Sequence, residues 1–369
     1  MLRKEKVDFP FLLIVTILTI SGFVIFLSAV MGITAKSEVK YFSILTNQLF
    51  LGLILGSVFA FIFSKLPIML FRKYAFWAWI VSIILMLAVF IPGVGLHSGG
   101  ATRWILLGPI SFQPSEILKV TYILYLATMI ASMGKNGIKT FKGGFVTFAL
   151  ISGITALPII FQKDNDTMIV LMLAGTTMFW VAGARIKHLM ILGLIAIVAL
   201  GGLIMMRPYI KDRIVSFINP GEHLQTVGYQ SQHSVTAIGS GGFAGRGFGQ
   251  SLQKFTFLPE PVGDSIFAVA AEEFGFLGAT FLIILFSLFC WRGLKIAGNI
   301  KDNFSRLVVV GVVILISVQA FWNMGTMMRV IPISGLPLPF VSHGGTALFF
   351  TLCACGILLN ISRNQKHSN

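Results

Sequence analysis

The sequence predicts an all-α polytopic membrane protein with ten transmembrane helices and both termini in the cytoplasm. Of its 369 residues, 56% are hydrophobic and 11% are charged, whereas an average soluble domain has roughly 25% charged residues. The apolar residues gather in runs of about twenty, the length that crosses a bilayer as a helix. Lysines and arginines alternate along the chain between short, basic connections and long, less basic ones, as cytoplasmic and external loops do.

Ten of these apolar runs are predicted to be transmembrane spans. They cover residues 10–32, 43–63, 75–91, 114–133, 145–161, 166–183, 187–205, 265–290, 307–328 and 344–361. The first run is not followed by a small-residue cleavage site, so we expect a retained span rather than a signal peptide. Only the polar residues 162–167 separate the fifth and sixth runs, and both are short, so the count of ten depends on this pair.

The basic residues predict which side each loop faces. Seventeen of the 28 Lys and Arg residues lie on the terminal segments and on the connections after even-numbered spans, and ten lie on the longer connections of the other side. Because cytoplasmic loops carry the excess positive charge, both termini are predicted to be cytoplasmic. The same rule accounts for the net charge of +15. Membrane lipid is therefore an expected partner and nucleic acid is not.

The side predicted to face outward carries two long loops, residues 92–113 and 206–264. Long loops in a compact protein are usually functional or disordered. Seven of the 13 carboxylates also lie on this side: Glu38, Asp164, Asp166, Asp212, Glu222, Glu260 and Asp264. Asp164 and Asp166 are first interpreted as solvated loop residues. We treat residues 1–369 as one integral membrane domain, with 206–264 as its long external loop between the seventh and eighth spans, and expect any active site outside.

The first polar constellation follows the third span. Arg103 and Trp104 lie in the loop, Pro114 suits the first turn of the next helix, and Glu116 and Lys119 are i,i+3 neighbours there. One interpretation is an interfacial Trp anchor beside a self-paired Glu and Lys. The other is a cationic wall of Arg103 and Lys119 that binds an anionic group such as a phosphate. Lys119 lies deeper than a snorkelling lysine would, which favours the wall.

Two further segments break the helical pattern. Residues 237–254 are rich in glycine but lack the GxxxxGK[ST] pattern of a nucleotide-binding loop. A packed or re-entrant loop is predicted there. Residues 329–346 contain three prolines and three glycines between two spans, and such a segment must fold into protein or water rather than lipid. We expect it to border a cavity.

An acidic stretch, residues 257–264, opens the eighth span. Asp264 could cap that helix or could serve chemistry at the membrane surface, and the residues alone leave both open. Glu272 and Glu273 lie farther in, where a carboxylate is costly, and can be structural or functional. The three cysteines lie in or beside apolar runs, which predicts buried thiols. The histidines lack the spacing of a metal site, so no metal site is predicted.

In this order, these segments resemble the SEDS family of cell-wall proteins, whose members include FtsW, RodA and SpoVE. The resemblance covers nearly the whole chain after residue 90 and is carried by residues 103–116, 237–242, 257–275 and 335–345. Residues 249–254 are more similar to the division member FtsW than to the elongation member RodA.

The resemblance implies a peptidoglycan glycosyltransferase of the bacterial cytoplasmic membrane with an outward-facing active site. It would polymerise lipid II in septal cell-wall synthesis and release undecaprenyl diphosphate. The family's essential aspartate falls on Asp264, and the substrate-binding residues would be Arg103, Trp104, Glu116, Lys119 and Glu260. The implied partners are a class B penicillin-binding protein and other division proteins, with lipid II and the growing lipid-linked glycan as ligands. No resident cofactor is implied, although Mg²⁺ or Mn²⁺ could assist the leaving group.

The chain departs from the family pattern beside Asp264, where Val262, Gly263 and Ser265 replace the usual His, Thr and Phe. Which neighbour orients the carboxylate is therefore open. Three alternatives compete with the division polymerase: transport of lipid II, polymerisation in elongation, and a scaffold whose partner holds the activity. Nearly all polar groups lie on the outer side, whereas an alternating-access transporter needs polar gates on both sides.

Overall fold

A computed structural model describes residues 7–34, 38–98, 101–107, 110–219 and 227–363. Glu222 and both chain termini lie outside these ranges. The helices, in chain order, are α1 (Phe9–Thr34), α2 (Glu38–Thr46), π1 (Asn47–Leu55), α3 (Gly56–Phe63), α4 (Ile68–Ala88), α5 (Pro114–Gly137), π2 (Phe141–Val146), α6 (Thr147–Phe161), α7 (Asn165–Val181), α8 (Ile186–Met206), α9 (Pro208–Ile218), α10 (Val227–Ser240), α11 (Gln253–Thr256), α12 (Ile266–Gly298), α13 (Asn303–Met327) and α14 (Gly345–Ser362).

The predicted polytopic helical fold is confirmed. Nine helical segments within the described ranges are long and apolar enough to cross a membrane. The predicted sixth span corresponds to α7, which has 17 residues and falls short of the usual length of about twenty. Nine full-length spans are thus found within the described ranges, and the count of ten, which needs α7 to cross as well, stays a prediction.

Charged residues account for differences in helix boundaries. The third span was predicted from residue 75, but α4 begins at Ile68 and includes Arg72 and Lys73. The ninth was predicted from residue 307, but α13 begins at Asn303, where the Asp302 side chain caps the helix. A long basic side chain can stay in a helix while its charged end reaches water. An apolar run therefore underestimates the length of its helix.

Helix α13 lies at the centre of the bundle. It packs against α5, α7, α12 and α14. Of its most apolar window 78% is buried, whereas in α8 none of the corresponding window is buried. A helix that is apolar on all sides belongs inside protein or against lipid, and these two helices show both cases. Polar side chains on α13 are therefore held by protein.

Both predicted external loops contain regular structure. The first holds a three-stranded antiparallel sheet of β1 (Gly95–Ser98), β2 (Ala101–Leu107) and β3 (Ile110–Phe112). The second holds α9, α10 and α11. Its glycine-rich part packs against a break in α12, where the amides of Arg246 and Gly247 donate to the carbonyls of Glu272 and Glu273. The packed-loop alternative is therefore the observed one.

Candidate functional site

Asp264 lies at the end of a tight turn that enters α12. The carbonyl oxygen of Glu260 accepts hydrogen bonds from the amides of Gly263 (3.0 Å) and Ser265 (3.3 Å). Glu260 itself has a positive φ of 45°. The N-cap of α12 is Ser265, and no side chain caps this helix. The capping interpretation of Asp264 is therefore wrong, and its carboxylate does not serve the helix end.

The Asp264 carboxylate is held in a poorly solvated place. Burial raises its pKa to about 6, although a hydrogen bond from the Gln230 amide lowers it and nearby Glu260 raises it further. Its Oδ1 atom is buried and has no hydrogen-bond partner among the described residues. A buried polar atom without a partner is costly and calls for an explanation. A carboxylate with this pKa can accept a proton at neutral pH.

The turn is held by residues 329–346, the proline-rich segment, rather than by side chains next to Asp264. The Ser342 hydroxyl donates to the carbonyl of Gly263 (2.6 Å), and the His343 amide donates to the carbonyl of Val262 (2.6 Å). Both bonds are made to backbone atoms. This geometry therefore tolerates Val262 and Gly263 where the family usually has His and Thr.

Two carboxamides on α13, one turn apart, connect the Asp264 turn with Lys119. Nδ2 of Asn323 donates to the carbonyl of Asp264 (2.7 Å) and to a second carbonyl in the proline-rich segment (2.7 Å). Gln319 accepts from Nζ of Lys119 (3.1 Å) and donates to the carbonyl of Pro337 (2.8 Å). Neither residue was predicted from the sequence. The available signal was a pair of carboxamides at i,i+4 spacing within an apolar span.

Glu116 and Lys119 form the predicted i,i+3 ion pair, with Nζ 2.8 Å from Oε2. The two residues are 5% and 6% exposed, so the pair is enclosed by protein. An ammonium group has three N–H donors. The contacts to Glu116 and Gln319 use two of them, which leaves one for a ligand.

Arg103 and Trp104 lie on β2, and Arg103 turns toward the connection between α6 and α7. Its guanidinium donates to two consecutive carbonyls there, at 3.3 and 2.5 Å. The adjacent Asp164 is only 7% exposed, so its interpretation as a solvated residue is wrong. Burial raises the pKa of Asp164, whereas Arg103 and, less strongly, Lys119 lower it. The expected cationic wall thus includes an acid near both cations.

Asp166 joins three parts of the structure and is not a solvated loop residue either. Its Oδ2 accepts from Nη1 of Arg213 on α9 (3.0 Å) and from the amide of Gly335 (3.0 Å). Arg213 also lowers the pKa of Asp264 electrostatically. Arg207, just before α9, donates to a carbonyl near the end of α6 (2.8 Å). These contacts hold α9 beside the site.

Glu272 and Glu273 have structural roles. Nζ of Lys254 lies 2.6 Å from Oε1 of Glu273, and neither side chain is more than 1% exposed. Glu272 accepts from the hydroxyls of Ser240 (3.2 Å) and Ser251 (2.5 Å). Both carboxylates are therefore satisfied by the glycine-rich loop and α11, and the structural alternative is the observed one.

The described residues contain no group of three or more His, Cys, Asp or Glu side chains arranged to hold a metal ion. Glu260 and Asp264 supply two carboxylates. Mg²⁺ is usually held by one or two carboxylates together with substrate phosphates. These two residues therefore fit a cation that arrives with a diphosphate.

Comparisons with known proteins agree on one family. The family model for cell cycle proteins of the FtsW, RodA and SpoVE type matches residues 9–367. The chain is 37% identical over 366 residues to stage V sporulation protein E of Bacillus subtilis (strain 168). It is 33% identical over 366 residues to the probable peptidoglycan glycosyltransferase FtsW of Geobacter sp. (strain M18). Each match covers 99% of both chains.

Solved structures have the same fold. One of them is a chain of a peptidoglycan synthase complex, solved in a study of the structural coordination of polymerization and crosslinking. Its TM-score is 0.80 at 25% identity, and the match covers 98% of this chain and 99% of that one. The rod shape determining protein RodA of Thermus thermophilus gives a TM-score of 0.70 at 25% identity, covering 98% of both chains.

Proposed function

The chain belongs to the FtsW, RodA and SpoVE family of cell cycle proteins, and from this membership we propose that it polymerises lipid II on the outer face of the cytoplasmic membrane. It is a multi-pass membrane protein and a peptidoglycan glycosyltransferase, as its FtsW relatives are named. The observation that carries the proposal is the carboxylate of Asp264, whose buried Oδ1 has no partner among the described residues.

Asp264 is assigned the role of general base. The 4-hydroxyl of the acceptor N-acetylglucosamine attacks the anomeric carbon of the lipid-linked donor, and its proton passes to the Asp264 carboxylate. The bond between that carbon and the diphosphate breaks, which releases undecaprenyl diphosphate. A positioned base typically contributes about 10²- to 10⁴-fold to the rate. A pKa of about 6 suits the task, because the carboxylate is ionised at neutral pH and more basic than an ordinary aspartate.

The leaving diphosphate is assigned to Lys119 and Arg103. The remaining N–H of Lys119 can donate to a phosphate oxygen, and Glu116 fixes the ammonium in place. Fixed cations in a protein environment stabilise charge that develops in the transition state. Trp104 and Glu260 complete the substrate-binding set that the family resemblance implies.

Septal synthesis is the proposed setting, and a class B penicillin-binding protein with other division proteins is the proposed partner. The FtsW relatives support division, whereas the stage V sporulation relative supports spore-wall synthesis as the competing setting. A solved relative comes from a complex that polymerises and crosslinks, which supports the transpeptidase partner. Depletion in cells separates the settings: filaments indicate division, rounded cells indicate elongation, and defective spores indicate sporulation.

The test is product analysis with labelled lipid II and the purified protein, with and without the transpeptidase. Asp264→Asn is expected to lower polymer formation by at least about 100-fold. Asp212→Asn removes the same charge from α9, outside the site, and should remain active. Full activity of Asp264→Asn would contradict the assignment. Unpolymerised lipid II in all samples, with transport of the label across vesicles, would favour the transporter instead.

A further inference from the structure

A groove on the other half of the bundle opens toward lipid between α1, α3 and α14. Its volume is about 500 Å³, and it is lined by Val7, just before α1, and by residues of α1 from Leu12 to Ile20. At 1.5 Å per residue the lining stretch of α1 is about 12 Å long, whereas the hydrocarbon core is about 30 Å thick. The groove begins at the end of α1 that is predicted to be cytoplasmic. It therefore reaches through roughly the inner leaflet and does not cross the membrane.

The groove wall is apolar in effect, although it contains several hydroxyl groups. Thr16, Thr19, Ser57 and Ser64 line it, and the hydroxyls of Thr16, Thr19 and Ser64 each donate to a carbonyl of their own helix at 2.7 to 2.9 Å. These donors are thus satisfied without a ligand. Leu53 and Leu352 add apolar surface. Such a wall fits an acyl chain, which offers no hydrogen-bonding groups.

The shape of the groove is fixed by contacts of the three helices that form it. A Cβ atom at Gly356 would lie 2.3 Å from the carbonyl oxygen of Ala60, so α3 and α14 already touch through their backbones. Asp8 fixes the end of α1, because Arg292 donates two hydrogen bonds to its carboxylate (2.9 and 2.7 Å) and its amide donates to the Ser362 hydroxyl (3.1 Å). The helices are therefore held around the groove.

Two cations line the groove at its cytoplasmic end, Lys65 and Arg363. Asn360 keeps them close, because its Nδ2 donates to carbonyls on either side of Lys65, at 2.7 and 2.5 Å. Nε of Arg363 has no hydrogen-bond partner within the described ranges. Asp8, at the same end of α1, is engaged by Arg292. The mouth therefore presents positive charge to a ligand.

We propose that this groove binds an anionic glycerophospholipid of the inner leaflet, such as phosphatidylglycerol. One acyl chain lies between α1 and α14, and the phosphate lies against Lys65 and Arg363. Basic pockets between membrane helices on the cytoplasmic side are typical sites for anionic headgroups. A zwitterionic lipid would bring its own ammonium group close to two cations, which repel it. A transmembrane helix of a partner protein would need a groove along the full thickness of the hydrocarbon core, and this groove does not cross the membrane.

Native mass spectrometry of the purified full chain tests this proposal, with equal amounts of phosphatidylglycerol and phosphatidylethanolamine added. Wild-type protein should retain mainly phosphatidylglycerol. Lys65→Gln/Arg363→Gln should lower that retention at least about fivefold, and Thr16→Phe, which fills the groove, should lower it without a change of charge. The matched control is Arg185→Gln/Lys187→Gln, which removes the same charge from the exposed start of α8 and should retain the lipid.

Three results would overturn the proposal. Equal retention by the two double variants would show that the bound lipid follows overall charge rather than the groove. Equal retention of both lipids by the wild-type protein would remove the headgroup preference. A preference for added undecaprenyl phosphate over phosphatidylglycerol would assign the groove to a polyprenyl lipid instead. A photoactivatable phosphatidylglycerol gives an independent check, since it should label peptides of α1 and α14 in the wild-type protein.

Discussion

Asp264 combines features that oppose stability and favour chemistry. Burial raises its pKa from 3.8 to about 6. A carboxylate whose folded pKa lies above its unfolded value stabilises the fold only while protonated, so this contribution is present at low pH and is lost as the pH rises through 6. At neutral pH the ionised group therefore costs about 3 kcal/mol. A functional role is the physical reason to place such a residue in the turn.

The pH dependence of polymerisation should report this carboxylate. The base must be ionised, so kcat/KM is expected to be half-maximal near pH 6 and to fall about tenfold per unit below it. Initial rates with labelled lipid II between pH 5 and 8 give the profile. A half-maximal kcat/KM near pH 4 would mean that Asp264 behaves as an ordinary aspartate. Parallel thermal unfolding at each pH separates titration from loss of folded protein.

Asn323 is predicted to position the Asp264 turn. In Asn323→Leu, the carbonyls of Asp264 and Leu336 lose their donor, the second of them in a buried bond, at about 1–3 kcal/mol for each group left unsatisfied. Both the thermal midpoint and kcat should therefore fall. Ser317→Ala is the matched control on the same helix, because the buried Ser317 hydroxyl has no partner among the described residues and its removal should be nearly neutral. Equal effects of the two substitutions would contradict the positioning role.

Helix α12 shows how an interrupted element organises the region around the site. At Gly275 its backbone adopts φ +65° and ψ −161°, a conformation essentially restricted to glycine. A Cβ atom there would lie 2.3 Å from the amide nitrogen of Gly245. The freed backbone groups of α12 pair with the glycine-rich loop. The break therefore joins α12 to the loop that carries Lys254.

The Lys254–Glu273 pair should behave as a buried ion pair that ties α11 to α12. Lys254→Met leaves the Glu273 carboxylate uncompensated and should cost about 3–5 kcal/mol, whereas Lys254→Met/Glu273→Gln should recover part of that loss. Thermal unfolding of wild type, both single variants and the double variant forms a double-mutant cycle. Additive effects would show that the two charges do not interact.

Local patterns predicted some site contacts, and long-range packing set the others. The Glu116–Lys119 pair follows from i,i+3 spacing on one helix, and the structure shows it. The bond from Lys119 to Gln319 joins residues 200 positions apart, so no local pattern indicated it. Burial of Asp164 was missed for the same reason. Arg103 on β2 and Lys119 on α5, which both lower its pKa, are distant in sequence, and the residues next to Asp164 are typical of a polar connection. The helical type of each span was predictable because an apolar run must satisfy its backbone internally.

At the scale of the whole molecule, the two ends of the bundle differ. Asp264, Lys119 and Asn323 form a polar network near the C-terminal end of α13, where the proline-rich segment supplies backbone partners. At the other end, the Asp8–Arg292 pair and Ser362 hold α1, α12 and α14 together. An alternating-access transporter needs a polar pathway that opens at both ends. This asymmetry favours a polymerase that works on one face.

Membrane orientation is the prediction on which that conclusion depends. Phe257, half exposed beside the Asp264 turn, should lie outside, and Lys187, exposed at the start of α8, should lie in the cytoplasm. In intact protoplasts, a membrane-impermeant maleimide should therefore label Phe257→Cys, and Lys187→Cys only after permeabilisation. The native cysteines give little background, because Cys353 and Cys355 are buried and Cys290 is partly so. The reverse pattern would place Asp264 on the cytoplasmic side, where it could not act on lipid II already exported.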